Sequence, residues 1–157
     1  MSDIALIETR EGWLHLAIVL DLYSRAIVGW SMSHKPNAQL VCDALSMAVE
    51  QRVEVSGTLV HSDQGTQYTS TSYYKVLEEH RLVCSTSRKG ECHDNAVAES
   101  FFKMLKGELI NGLVHRSRDA ARQEIFKYIK LLYNRKRRHS SIGYRAPLKY
   151  ETIVRAA

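Results

Sequence analysis

Residues 13–32 read WLHLAIVLDLYSRAIVGWSM. Trp13 to Leu22 is an almost unbroken apolar run with β-branched residues, as suits a strand buried on both faces. Ser24-Arg25 makes a tight turn, and Ala26 to Met32 is a second strand. Upstream, Ile4 to Ile7 is a short apolar strand, set off by a charged turn and Gly12. Residues 3–32 therefore predict a three-stranded antiparallel meander.

Downstream the pattern changes to strands alternating with helices. Asn37 caps a helix to about Arg52, with Val41, Ala44, Leu45 and Ala48 on one face. Thr58 to His61 is a short strand ending at Ser62-Asp63. A helix over about 72–80 turns Tyr73, Val76 and Leu77 inward, and Arg81 to Thr86 is a fifth strand. Residues 87–93 form a polar loop around Gly90. A long helix runs from Asp94 or Asn95 to about Leu109, and Ser117 caps another to about Asn134. Residues 135–157 read as a basic, irregular tail broken by Gly143 and Pro147. The order predicts one α/β domain over 1–157: a core to about 134 and that tail, with a mixed sheet covered by helices on both faces.

Cys42, Cys84 and Cys92 form no Cys-x-x-Cys pair and read as reduced thiols. No apolar run is long enough to span a bilayer, so a cytoplasmic protein without membrane partners is expected. Net charge is +5, but it is unevenly spread. Residues 1–102 carry 8 Lys+Arg against 13 Asp+Glu, a net of −5, whereas residues 103–157 carry 14 against 4, a net of +10. An acidic pocket beside a basic surface suits a protein that binds a cation at one spot and a polyanion around it. A solvated basic helix pair accounts for the charge equally well.

Three acidic residues carry the chemistry. Asp63 lies just past a strand, where Gly65 permits a sharp turn or close approach. Glu99 shares a helical stripe with Asn95, Lys103 and Lys106, beside the apolar stripe of Ala98, Phe101, Phe102 and Leu105. Asp3 heads the first strand, so its side chain can face Asp63. Three carboxylates together make a hard-oxygen site for Mg²⁺, with Mn²⁺ as substitute, and metal in a basic chain points to phosphodiester chemistry. Each also has a plainer reading: a polar turn for Asp63, a Glu99–Lys103 surface pair, a frayed end for Asp3. Asp21 belongs to the turn, with Ser24 or Arg25. His61, His93 and His139 lack zinc-ligand spacing, and Tyr128 and Tyr133 read as packing residues. Lys103, Lys106, Arg135, Lys136, Arg137 and Arg138 are the expected phosphate contacts.

Five segments carry a resemblance: SDIALI (2–7), EGWLHLAIVLDLYSRAIVGW (11–30), HSDQGTQY (61–68), GECHDNAVAESFFKMLKGEL (90–109) and YNRKRRHSSIGYRAPLKYE (133–151). They resemble the catalytic core of bacterial insertion-sequence transposases related to retroviral integrases. The 35 residues between Asp63 and Glu99 match that family's spacing. The resemblance implies an RNase H-like fold with a five-stranded mixed sheet, and an Asp-Asp-Glu triad at Asp3, Asp63 and Glu99. It also implies a metal-dependent polynucleotidyl transferase, with Lys103 and Lys106 holding DNA. The first block departs from the family's usual Thr-Asp-Ile-Thr-Tyr-Ile, reading Ser2-Asp3-Ile4-Ala5-Leu6-Ile7. The expected partners are transposon ends, target DNA and, in the intact protein, further copies of the chain at the bacterial nucleoid. The competing expectations are a simple nuclease on the same fold and a non-catalytic DNA-binding or oligomerisation module.

Overall fold

The computed structural model describes residues 1–86, 96–110 and 114–156. β1 (Ser2–Ile7), β2 (Leu14–Leu20) and β3 (Ile27–Ser33) form the antiparallel meander expected from the sequence. The register slips between Val19 and Leu20, which pair with Gly29 and Ile27. Asp21 keeps its structural role in the turn that follows. Its Oδ1 accepts the Tyr23 and Ser24 N–H groups, and its Oδ2 meets Arg52 at 2.8 Å.

Two more strands, β4 (Leu59–Ser62) and β5 (Val83–Thr86), run parallel and are linked through α2 (Thr71–Glu79). They do not join the meander. The five-stranded sheet implied by the family resemblance is instead a three-stranded sheet, β1-β2-β3, beside a two-stranded one, β4-β5. On the outer edge of β1 one backbone donor is taken locally. Met1 and Leu20 exchange both backbone hydrogen bonds, at 2.9 and 2.7 Å. By antiparallel alternation, the backbone groups of Asp3, Ala5 and Ile7 also face β2, and those of Ser2, Ile4 and Leu6 face outward. The outward Ile4 N–H is taken at 2.8 Å by Asp3 Oδ1, not by a carbonyl of β4.

Helices cover both faces, as expected. On one face α1 (Ala38–Glu50) packs Leu40, Val41, Ala44, Leu45 and Ala48 against Ala17, Val19 and Val28. Asn37 caps it by accepting the Leu40 N–H at 3.2 Å. Contact is so close at Gly29 that an added Cβ would lie 2.1 Å from the Ala44 carbonyl oxygen. On the other face α3 (Ala96–Leu105) and α4 (Arg118–Lys127) pack Phe101, Leu105 and Ile125 on Leu16, Ile18 and Leu20.

Both long helices loosen into π geometry, at Lys106–Ile110 after α3 and Tyr128–Tyr133 after α4. Tyr128 and Tyr133 are buried, consistent with packing roles. The chain continues as α5 (Asn134–Lys136) and ends in α6 (Pro147–Ala156). The tail is therefore largely helical, correcting the irregular reading. Pro147 is its first helical residue, where a missing N–H costs nothing. Glu151 of α6 bonds Arg52 at 2.6 Å, and Tyr150 packs on Tyr23 with ring centroids 5.5 Å apart. Cys42 and Cys84 are free thiols; Cys92 lies outside the described residues.

Candidate functional site

Asp3, Ala5 and Ile7 alternate with Ser2, Ile4 and Leu6 along β1. Ala5 and Ile7 belong to the same core as Phe101, Phe102 and Leu105, so Asp3 points to the α3 face. It is half-buried there. Asp63 follows β4 directly, in phase with His61 and out of phase with Val60, which packs in the α1-side core. It too belongs to the α3 side. Its Oδ1 accepts the Gly65 N–H at 2.9 Å, closing a turn over the strand end. Gly65 sits tightly in this turn. An added Cβ would stand 3.0 Å from both Asp63 Oδ1 and Gln67 Oε1. Glu99 lies in the first turn of α3, where the helix dipole favours a negative charge, and it is exposed.

Asp3 stands out electrostatically. Burial pushes the Asp3 carboxyl up to about 6, and the Asp63 and Glu99 charges add to the shift. The Ile4 N–H opposes it. The charges of Asp63 and Glu99 thus both reach Asp3. Among the described residues, however, no group of three or more His, Cys, Asp or Glu converges closely enough to hold a metal ion. The donor set still fits Mg²⁺ chemically: three hard oxygen ligands, with Asp63 and Glu99 exposed and Asp3 half-buried.

That shift yields a stability prediction. The folded value of about 6 lies above the ordinary 3.8, so the folded state holds the extra proton between them. This group's contribution is fully present below about pH 4 and is lost as pH rises through about 6. Asp3→Asn, measured by urea unfolding in chelator, should be more stable than the native chain at pH 8 by about 1 kcal/mol, allowing for solvent screening. The difference should vanish near pH 4. An equal gap at both pH values would refute the assignment.

Of the expected basic residues, Lys103 lies one turn beyond Glu99 and Lys106 opens the π segment; both are exposed. Arg135, Lys136 and Arg138 are exposed too. Arg137 is not presented in the same way. It forms an ion pair with Glu108, and its Nε contacts Met104 Sδ at 3.1 Å. Tyr128 donates to the other Glu108 oxygen at 3.0 Å. Arg137 therefore fastens the tail to the segment after α3. Asn95 and His93 lie outside the described residues.

Sequence reading missed Ser2 and Tyr68, which adjoin the site on the opposite face. Their hydroxyls are 3.0 Å apart and buried. Only a hydroxyl-bearing aromatic closing the Asp63 turn hinted at them.

Two family models described as integrase core domain match the chain, over residues 1–92 and 80–147. A transposase InsF for insertion sequence IS3A of Escherichia coli (strain K12) is 50% identical over 150 residues, covering 96% of this chain and 52% of that protein. The transposase for insertion sequence element IS904 of Lactococcus lactis subsp. lactis (strain IL1403) is 46% identical, covering 96% and 60%. The chain thus spans about half the length of the curated relatives it matches. The HTLV-2 integrase catalytic core domain in complex with magnesium, in a trimeric form, superposes with a TM-score of 0.71 at 13% identity, covering 95% of this chain and 92% of that one. A chain of the simian T-cell lymphotropic virus intasome, in complex with PP2A regulatory subunit B56 gamma, gives 0.76 at 12% identity, covering 95% and 52%. The α/β fold is that of retroviral integrase catalytic cores.

Proposed function

Because this chain belongs to the integrase core domain family, we propose that it is the catalytic core of an insertion-sequence transposase that cuts DNA and joins a 3′ end to a target strand. The observation that carries the proposal is the match to the integrase core domain and to insertion-sequence transposases across nearly the whole chain, which includes Asp3, Asp63 and Glu99. In this reading those three residues hold Mg²⁺, or Mn²⁺ in its place. When bound, the ion supplies Lewis-acid stabilisation of charge on the phosphoryl oxygens and lowers the pKa of an attacking water or hydroxyl.

The chain's own residues do the rest. Half-buried Asp3 gives the site a fixed wall on a strand, and Asp63 is held by its turn. Glu99 rides on a helix anchored by Phe101 and Phe102 in the core. Lys103, Lys106, Arg135, Lys136 and Arg138 attract the DNA backbone. The substrates in this reading are transposon ends and target DNA in a bacterial cytoplasm, at the nucleoid. Two ends must be held together for joining, so the intact protein acts as more than one copy. Among the described residues no helix is long and apolar enough to cross a membrane.

The test is a joining assay with a labelled 3′-hydroxyl oligonucleotide. Longer, metal-dependent labelled products support the proposal. Hydrolysis fragments alone would indicate a nuclease, and binding without any new product a non-catalytic module. Charge gives a second expectation. With about five phosphate contacts, DNA affinity should fall roughly 10²–10³-fold between about 50 and 200 mM salt. A flat response would remove the phosphate-binding role.

A further inference from the structure

Asp3 lies on β1 and Asp63 just past β4, and the two strands share no backbone ladder, so sheet hydrogen bonding does not set their separation. Ser2, next to Asp3, turns its side chain to the α1 face and is 1% exposed. Its hydroxyl donates to the Ile18 carbonyl at 3.0 Å, which uses its single proton. The Tyr68 phenol, 3.0 Å away and 2% exposed, is therefore the donor to Ser2 Oγ. Burial raises that phenol's pKa well above its ordinary value and keeps the proton in place.

Tyr68 also closes the turn that carries Asp63. Its N–H donates to the Gly65 carbonyl at 2.9 Å, and the Gly65 N–H donates to Asp63 Oδ1 at 2.9 Å. Tyr73 packs edge-on against the Tyr68 ring, with centroids 5.3 Å apart. A short path thus runs from Asp3 through Ser2, Tyr68 and Gly65 to Asp63, bridging the seam between the two sheets.

We propose that the Tyr68–Ser2 hydrogen bond sets the position of the Asp63 turn relative to Asp3, making Ser2 and Tyr68 positioning residues for the cation site. The inference rests on the carboxylate reading above. Ser2 and Tyr68 contact no substrate in this account; they act by holding two ligand-bearing segments in register.

The test is Mn²⁺ titration of the full chain by calorimetry, with the metal-free unfolding midpoint recorded for each variant. Tyr68→Phe removes one oxygen and should weaken Mn²⁺ binding about fivefold to tenfold. Ser2→Ala, which also gives up the Ile18 bond, should weaken it at least as much, and the double variant should be no weaker than Ser2→Ala, because each single change already breaks the Tyr68–Ser2 bond. Ser2→Thr keeps the hydroxyl and should restore native affinity. Native Mn²⁺ affinity in folded Tyr68→Phe or Ser2→Ala overturns the proposal, as do additive losses in the double variant. Asp63→Asn separates this from the underlying reading. If that variant keeps native Mn²⁺ affinity, the carboxylate site itself fails, whatever the Tyr68 result.

Discussion

Asp63→Asn or Glu99→Gln should abolish strand transfer while leaving DNA binding close to native. Each change removes one negative oxygen ligand and preserves side-chain size. Losing several kcal/mol of transition-state charge stabilisation corresponds to a rate loss on the order of 10³ or more. DNA affinity, set largely by the basic C-terminal third, should change little, because neither residue supplies a positive charge. Asp63 and Glu99 are exposed, so their loss should also leave folding intact. The decisive pair of measurements is product yield in the joining assay and DNA affinity by anisotropy. An active variant would sink the catalytic assignment. Loss of DNA binding and activity together would make the carboxylates structural.

Gly29→Ala is expected to be the most damaging single substitution in the core. The new Cβ would lie 2.1 Å from the Ala44 carbonyl oxygen, 2.8 Å from the Ala48 nitrogen and 2.9 Å from the Ala48 Cβ. Two of these are backbone atoms of α1, so no rotamer change relieves them. Either α1 lifts from the sheet or β3 bends, at a cost of about 3 kcal/mol or more. That is a large fraction of the stability of a typical domain of this size. Urea unfolding would read the loss directly. Native stability would mean that α1 adjusts without cost, contradicting the close packing of Leu40, Val41 and Leu45.

The parts of the fold legible in the sequence were those written in side-chain period. The runs at 14–20 and 27–33 are apolar enough to be strands without further context. Asn37 and Ser117 announced their helices, and both do cap them. Asp21 lay in a turn and stayed there. What escaped depends on pairing between distant segments. Nothing in Leu59–Ser62 reveals that its ladder partner is β5 alone. The Arg137–Glu108 pair spans 29 residues and depends on π turns that no apolar period predicts. Pro147 was read as a breaker because a helix-starting proline looks the same in isolation. The candidate site rests on residue types and spacing; the Tyr68–Ser2 contact, 66 residues apart, is not legible in either.

A continuous ladder fixes neighbouring strands at roughly 4.7–4.9 Å, a spacing that no point substitution alters. Across the seam between β1 and β4 there is no such ruler. Side chains decide how far one acidic segment stands from the other. On the proposed reading, single substitutions there would change how far the two acidic segments stand apart, with the strand scaffold left alone.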